Sequence, residues 1–221
     1  TLIEIAIVLV IIGLLLGGVL KGQELINSAK VKNLATDFKN IPVFIYGYQD
    51  KFRSLPGDDK GAVSHVTAAS GHFGDGNGVI DGMWDADNSN GAGGKPSETS
   101  MFWEHIRLGN LAPGPTSGSD LLPINSVGGV IGITNGTLAN NPVYQLNGAY
   151  IICSAGVLGK YAKQLDLQMD DGNSKTGSMR AIANSATRPA VIPSGGLATD
   201  NTLDVYAAGG DSTSYTICMG I

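Results

Sequence analysis

The chain has 221 residues, enough for one sizeable core or for a domain carrying an appendage. Its net charge of -5 and sequence pI of about 5.0 leave no basic surface for nucleic acid. Charged residues make up only 15% and glycines number 32, which implies a surface of small polar groups and turns rather than ion pairs.

Ile5 to Leu20 is an unbroken run of apolar or glycine residues, preceded by one acid, Glu4. As a helix, Thr1 to Leu20 spans about 30 Å, the thickness of a bilayer core. A secretory signal peptide opens on cations, but here the first cation, Lys21, follows the apolar run. A plain membrane anchor fits the length and leaves Glu4 as a cost without a benefit. A helix that leaves the membrane to pack among copies of itself gives Glu4 a positive partner on a neighbour, which offsets the cost of burying the acid.

Thr1-Leu2-Ile3-Glu4, followed by Ile5-Ala6-Ile7-Val8-Leu9-Val10-Ile11-Ile12-Gly13-Leu14-Leu15, resembles the start of a mature type IV pilin or pseudopilin. The resemblance is specific over about the first 25 residues. It implies either an N-methylated Phe or Met ahead of Thr1 or a Thr1 that is itself the first residue, and a Glu4 that pairs with the N-terminal amine of the adjacent subunit during assembly. An acid close to a helix N-terminus is also favourable in its own right. Many pilins carry a proline near the end of the apolar stretch, where this chain has Lys21. Gly13, Gly17, Gly18 and Gly22 each weaken a helix by roughly 1 kcal/mol relative to Ala, so they can permit local melting. The Gly13/Gly17 and Gly18/Gly22 spacings also allow close helix approach.

Beyond Leu20 the polarity changes while the helical period persists. Val31, Leu34, Phe38, Ile41, Ile45, Tyr48 and Phe52 form one apolar stripe, with Lys30, Lys32, Asp37 and Lys39 opposite. The pattern predicts one helix from Leu2 to near Arg53, kinked just before Pro42. Residues 1–24 form its protruding apolar part, and residues 25–221 form the head.

Leu55-Pro56-Gly57-Asp58-Asp59 stops the helix, and a long glycine-rich loop follows to about residue 100. A short helix is predicted over Thr99–Leu108, and a second over Val157–Met169 that Asp170-Asp171-Gly172-Asn173 ends. Strands are predicted at Gly129–Thr134, Val143–Cys153, Leu203–Ala207 and Tyr215–Met219. The expected fold class is α+β: a long N-terminal helix whose second half packs on a C-terminal antiparallel sheet.

Asp75-Gly76-Asn77-Gly78-Val79-Ile80-Asp81 resembles part of a calcium loop, with Asp75, Asn77, the Val79 carbonyl and Asp81 as ligands. The first and twelfth positions fall on Phe73 and Trp84, which are no ligands, so Asp85 or Asp87 would have to stand in. A metal-free Gly/Asn/Asp turn is the competing reading. Asp170 and Asp171 sit where a helix dipole disfavours acids, so turn hydrogen bonds from Asn173, Ser174 or Thr176, or a cation, must hold them. Cys153 and Cys218 fit one disulfide or two buried thiols. The family resemblance favours the bond, since pilins frequently close such a C-terminal loop and the head would lie outside the cytoplasm.

His65, His72 and His105 show no metal spacing, and no enzyme fingerprint is present. The expectation is a non-enzymatic subunit of a type IV pilus-like filament at the bacterial cell surface. Its partners would be copies of itself, the inner membrane before assembly, and the assembly machinery. A minor pilin, a type II secretion pseudopilin and a membrane-tethered periplasmic binding domain are the alternatives.

Overall fold

The computed structural model describes residues 1–86, 96–118, 121–137, 142–184 and 201–221. Four helices are described, α1 (Leu2–Phe52), α2 (Ala62–His65), α3 (Glu98–Leu108) and α4 (Gly159–Met169). Four strands, β1 (Ile131–Asn135), β2 (Tyr150–Leu158), β3 (Met179–Ala183) and β4 (Ser214–Gly220), form one antiparallel sheet in the order β1-β2-β4-β3. The fold class is therefore α+β.

α1 is a single helix of 51 residues and runs unbroken through Pro42. Proline removes one backbone donor, but the stripe on either side of it is anchored: Val31, Leu34, Ala35, Phe38, Ile41, Ile45 and Tyr48 are all buried. The helix ends at Arg53, which takes left-handed φ of 56° and returns its N–H to the Gln49 carbonyl at 2.9 Å. Polar ties add to the apolar contact. Tyr161 Oη donates to Asn27 Oδ1 at 3.0 Å, Ser126 Oγ to the Lys30 carbonyl at 3.1 Å, and Lys51 Nζ to the Gly109 carbonyl at 3.1 Å.

Strand period divides the sheet into two buried faces. Ile131, Ile133, Ile152, Val157, Met179, Ala181, Tyr215, Ile217 and Met219 join the core shared with α1, α3 and α4. Ile151, Cys153 and Cys218 point the other way and pack with Trp84, Val143 and Leu146 from the connecting segments. Cys153 and Cys218 lie directly opposite one another in the β2–β4 register and are joined by a disulfide.

Three of the predicted boundaries are corrected. Residues 143–149 do not extend β2: Gln145 has φ of 49° and the Leu146 N–H turns back to the Val143 carbonyl, so local turn geometry wins over apolar content. Val157 and Leu158 belong to β2, and α4 begins only at Gly159. Leu203–Ala207 is a turn in which the Asp204 carboxylate accepts the Tyr206 N–H at 2.8 Å and the Asp204 carbonyl accepts the Ala207 N–H. The sheet edge is instead Met179–Ala183, whose weak alternation the sequence reading passed over.

Candidate functional site

The apolar part of α1 touches nothing. Every residue from Thr1 to Lys21 is exposed, with the large apolar side chains ranging from 46% (Ile12) to 91% (Leu2), and the first buried residue is Val31. The helix is long and apolar enough to cross a membrane. Glu4 reaches the Thr1 amino nitrogen, with Oε2 at 2.6 Å. A Cβ added at Gly13, Gly17, Gly18 or Gly22 would meet nothing within 4 Å, so the space beside each of these positions is open.

The glycine-rich loop builds a second polar centre. Asp58, buried just beyond α1, receives the backbone N–H groups of Gly76 and Asn77 on Oδ1 (2.6 and 3.2 Å) and of Gly78 on Oδ2 (2.7 Å). Glu98, in the first turn of α3, receives those of Asp75 on Oε1 (3.1 Å) and Asp81 on Oε2 (2.9 Å). Burial, helped by the charges of Asp58 and Asp75 and opposed by these two hydrogen bonds, pushes the Glu98 carboxyl up to about 7. The loop lies so close that a Cβ on Gly74 would fall 2.3 Å from Asp58 Cα, while Gly76 and Gly78 take φ of 78° and 86°.

The four residues expected to ligate calcium are only partly arranged for it. Asp75, Asn77 and Asp81 do converge, but the Asn77 side-chain amide sits between Asp75 Oδ2 (3.1 Å) and Asp81 Oδ2 (3.2 Å) and donates to both. The Asn77 side-chain oxygen, Oδ1, accepts the Val79 N–H at 2.7 Å. Among the described residues of this loop, the oxygens close enough to hold a metal together are those of Asp58, Asp75 and Glu98, one atom from each lying within 4.8 Å of the others. Sequence reasoning missed Asp58 and Glu98, which are separated from the motif by many residues and carry no local spacing signal. Asp87 lies outside the described residues.

Each histidine is engaged. His105 is fully buried; its Nδ1 accepts the Gly57 N–H at 3.0 Å and its Nε2 donates to the His72 carbonyl at 3.2 Å, and burial pulls its pKa down. His72 meets Glu104 at 2.6 Å and His65 meets Asp59 at 2.8 Å. These contacts bind the loop to α3 and α1 rather than forming a metal triad.

At the end of α4 the exposed Asp171 finds the turn bonds expected from Asn173 and Thr176, while the half-buried Asp170 takes its bonds from Ser178 and Met179. Asp171 accepts the Asn173 N–H (2.8 Å) and the Thr176 hydroxyl (2.7 Å), and Asp170 accepts the Ser178 hydroxyl (3.1 Å) and the Met179 N–H (2.8 Å).

No protein-family model matches the chain, and no curated protein or solved structure does. Its shape, a long apolar N-terminal helix joined to a disulfide-linked antiparallel sheet, is compatible with a pilin-like fold.

Proposed function

We propose that this chain is a structural subunit of a type IV pilin-like filament that polymerises through its apolar N-terminal helix. The observation that carries the reading is the double use of α1: one half is a bare apolar rod headed by a single acid, and the other half is the spine of the head's core. An apolar surface of that extent is unstable in water and needs lipid or sister helices around it. The bilayer serves before assembly and the bundle of rods afterwards, with the heads forming the outer shell. Subunit contacts that are heterologous and do not close give a helical polymer. In the bundle, Glu4 pairs with the N-terminal amine of a neighbouring subunit. The small residues at the Gly13/Gly17 and Gly18/Gly22 spacings let the rods approach closely. The role is architectural, with the head at the cell surface and no catalysis.

Glu4→Ala is expected to lower the yield of sheared surface filaments at least roughly tenfold, since the variant loses the charge pair that docks each incoming subunit. The amount of membrane-held chain should stay the same, because Glu4 lies far from the core. Filament yield equal to the parent, measured by immunoblot of the sheared fraction, would count against the proposal.

A further inference from the structure

We propose that Asp166, Asp170 and Asp171 form a calcium site at the C-terminal end of α4. One carboxylate oxygen from each lies within 4.8 Å of the others. Asp166 is the independent sign that something is bound there. It is 2% exposed, and among the described residues no hydrogen-bond donor reaches either of its oxygens. A buried carboxylate with both oxygens unsatisfied is costly unless a proton or a cation meets it.

The location favours the cation. Asp166 and Asp170 are one helical turn apart on the same face, and the Asp170 N–H donates to the Asp166 carbonyl at 2.7 Å. Three acids therefore crowd the negative end of a helix dipole, where a positive charge is stabilised. The nearby basic groups are already used. Arg180 donates to the Tyr144 and Gly177 carbonyls and acts on Asp171 only through its charge, and Lys163 pairs with Asp211 at 2.7 Å. Burial first, then the charges of Asp170 and Asp171, raise the Asp166 carboxyl to about 6.

The donor set selects the ion class. It offers only oxygens, from carboxylates, with no His or Cys, which suits a hard cation. Asp170 and Asp171 accept one hydrogen bond on each oxygen and keep a lone pair free on each. The spread of the oxygens and an irregular Asp-Gly-Asn turn fit calcium, which bonds at 2.3–2.6 Å in flexible geometry, better than magnesium, which demands a tight octahedron. Asp171 is exposed and gives the ion its path from solvent, with water completing the shell.

The site would fasten the end of α4 to the turn leading into β3. Its existence does not depend on whether the chain polymerises. The test uses the full chain in mild detergent, stripped with chelator and titrated with calcium chloride at pH 7.5 by calorimetry and thermal melting. One calcium per chain is expected, with a Kd of about 10⁻⁴ to 10⁻³ M, as in extracellular calcium modules. At saturation the melting temperature should rise by several degrees. Asp166→Asn and, independently, the exposed Asp171→Asn should each weaken binding by at least roughly tenfold, while Glu98→Gln leaves it unchanged. Two results would overturn the assignment: no calcium effect on the parent chain, or binding that Glu98→Gln abolishes and the other two variants retain.

Discussion

Replacing Cys153 and Cys218 together by alanine is expected to lower the stability of the head by about 4 kcal/mol. The bond closes a loop with a sequence separation of 65. The chain-entropy relation for a loop of that size gives roughly that figure, acting through the greater freedom of the unfolded chain. The native state adds a second contribution, because both sulfurs are fully buried against Trp84, Val143 and Leu146 and their loss leaves a void. The measurement is chemical denaturation of the head with and without reductant, alongside the double variant. For a domain of this size, 4 kcal/mol corresponds to a fall in Tm of roughly 8–16 °C. A fall of less than about 3 °C would show that the strand pairing alone holds β2 to β4.

Asp59→Ala is expected to cost about 3 kcal/mol, as breaking a buried polar network does. Asp59 is 1% exposed and holds three groups at once: the Tyr48 hydroxyl (2.7 Å), the His65 ring nitrogen (2.8 Å) and the Gly61 N–H (2.8 Å). Tyr48 belongs to the α1 stripe and is itself fully buried, so the substitution leaves a phenol unsatisfied in the core. Burial works to raise the Asp59 carboxyl, but the hydrogen bonds from His65, Tyr48 and Gly61 outweigh it and hold the group below the usual carboxylate range. A depressed folded-state value means that the unfolded chain takes up the proton first. The contribution is therefore complete above about pH 4 and is lost as pH falls through the folded value. Melting curves taken from pH 6 downward should show the parent losing more stability than Asp59→Ala. Parallel curves would mean that Asp59 does not carry this acid sensitivity.

The long helix and its stripe were fully legible in the sequence, because a period of three and four sustained from Val31 to Tyr48 has few other solutions. The short helix after the glycine-rich loop was found to within one residue of its start, since Met101, Phe102, Trp103 and Ile106 mark its face. Strands were less legible. Val143 and Leu203 look like strand residues by composition, but Gln145 and Asp204 impose turns that outrank β propensity. β3 was missed because Arg180 interrupts a short apolar alternation. At the acidic loop the motif marks the segment but not the carboxylates that receive its backbone N–H groups. Asp58 and Glu98 reach it only through the tertiary fold, which a linear motif does not encode. Asp166 was hidden for the same reason: on a helical wheel it sits on the apolar face, among Ala162 and Leu165, where an acid is read as misplaced rather than as aimed at something.

The sheet order also sets a timetable for folding. β4 is the latest of the four strands along the chain, yet it lies in the interior of the sheet, between β2 and β3. Until residues 214–220 are delivered, β2 lacks one neighbour, β3 lacks the strand it pairs with, and Cys153 has no Cys218 to join. A chain threaded out from its N-terminus must therefore hold an open, half-built sheet while its apolar helix is already in place. Closure of such distant pairings is slow and leaves strand edges open to aggregation in the interval. Docking of β4 between β2 and β3 closes those edges and sets Cys218 opposite Cys153.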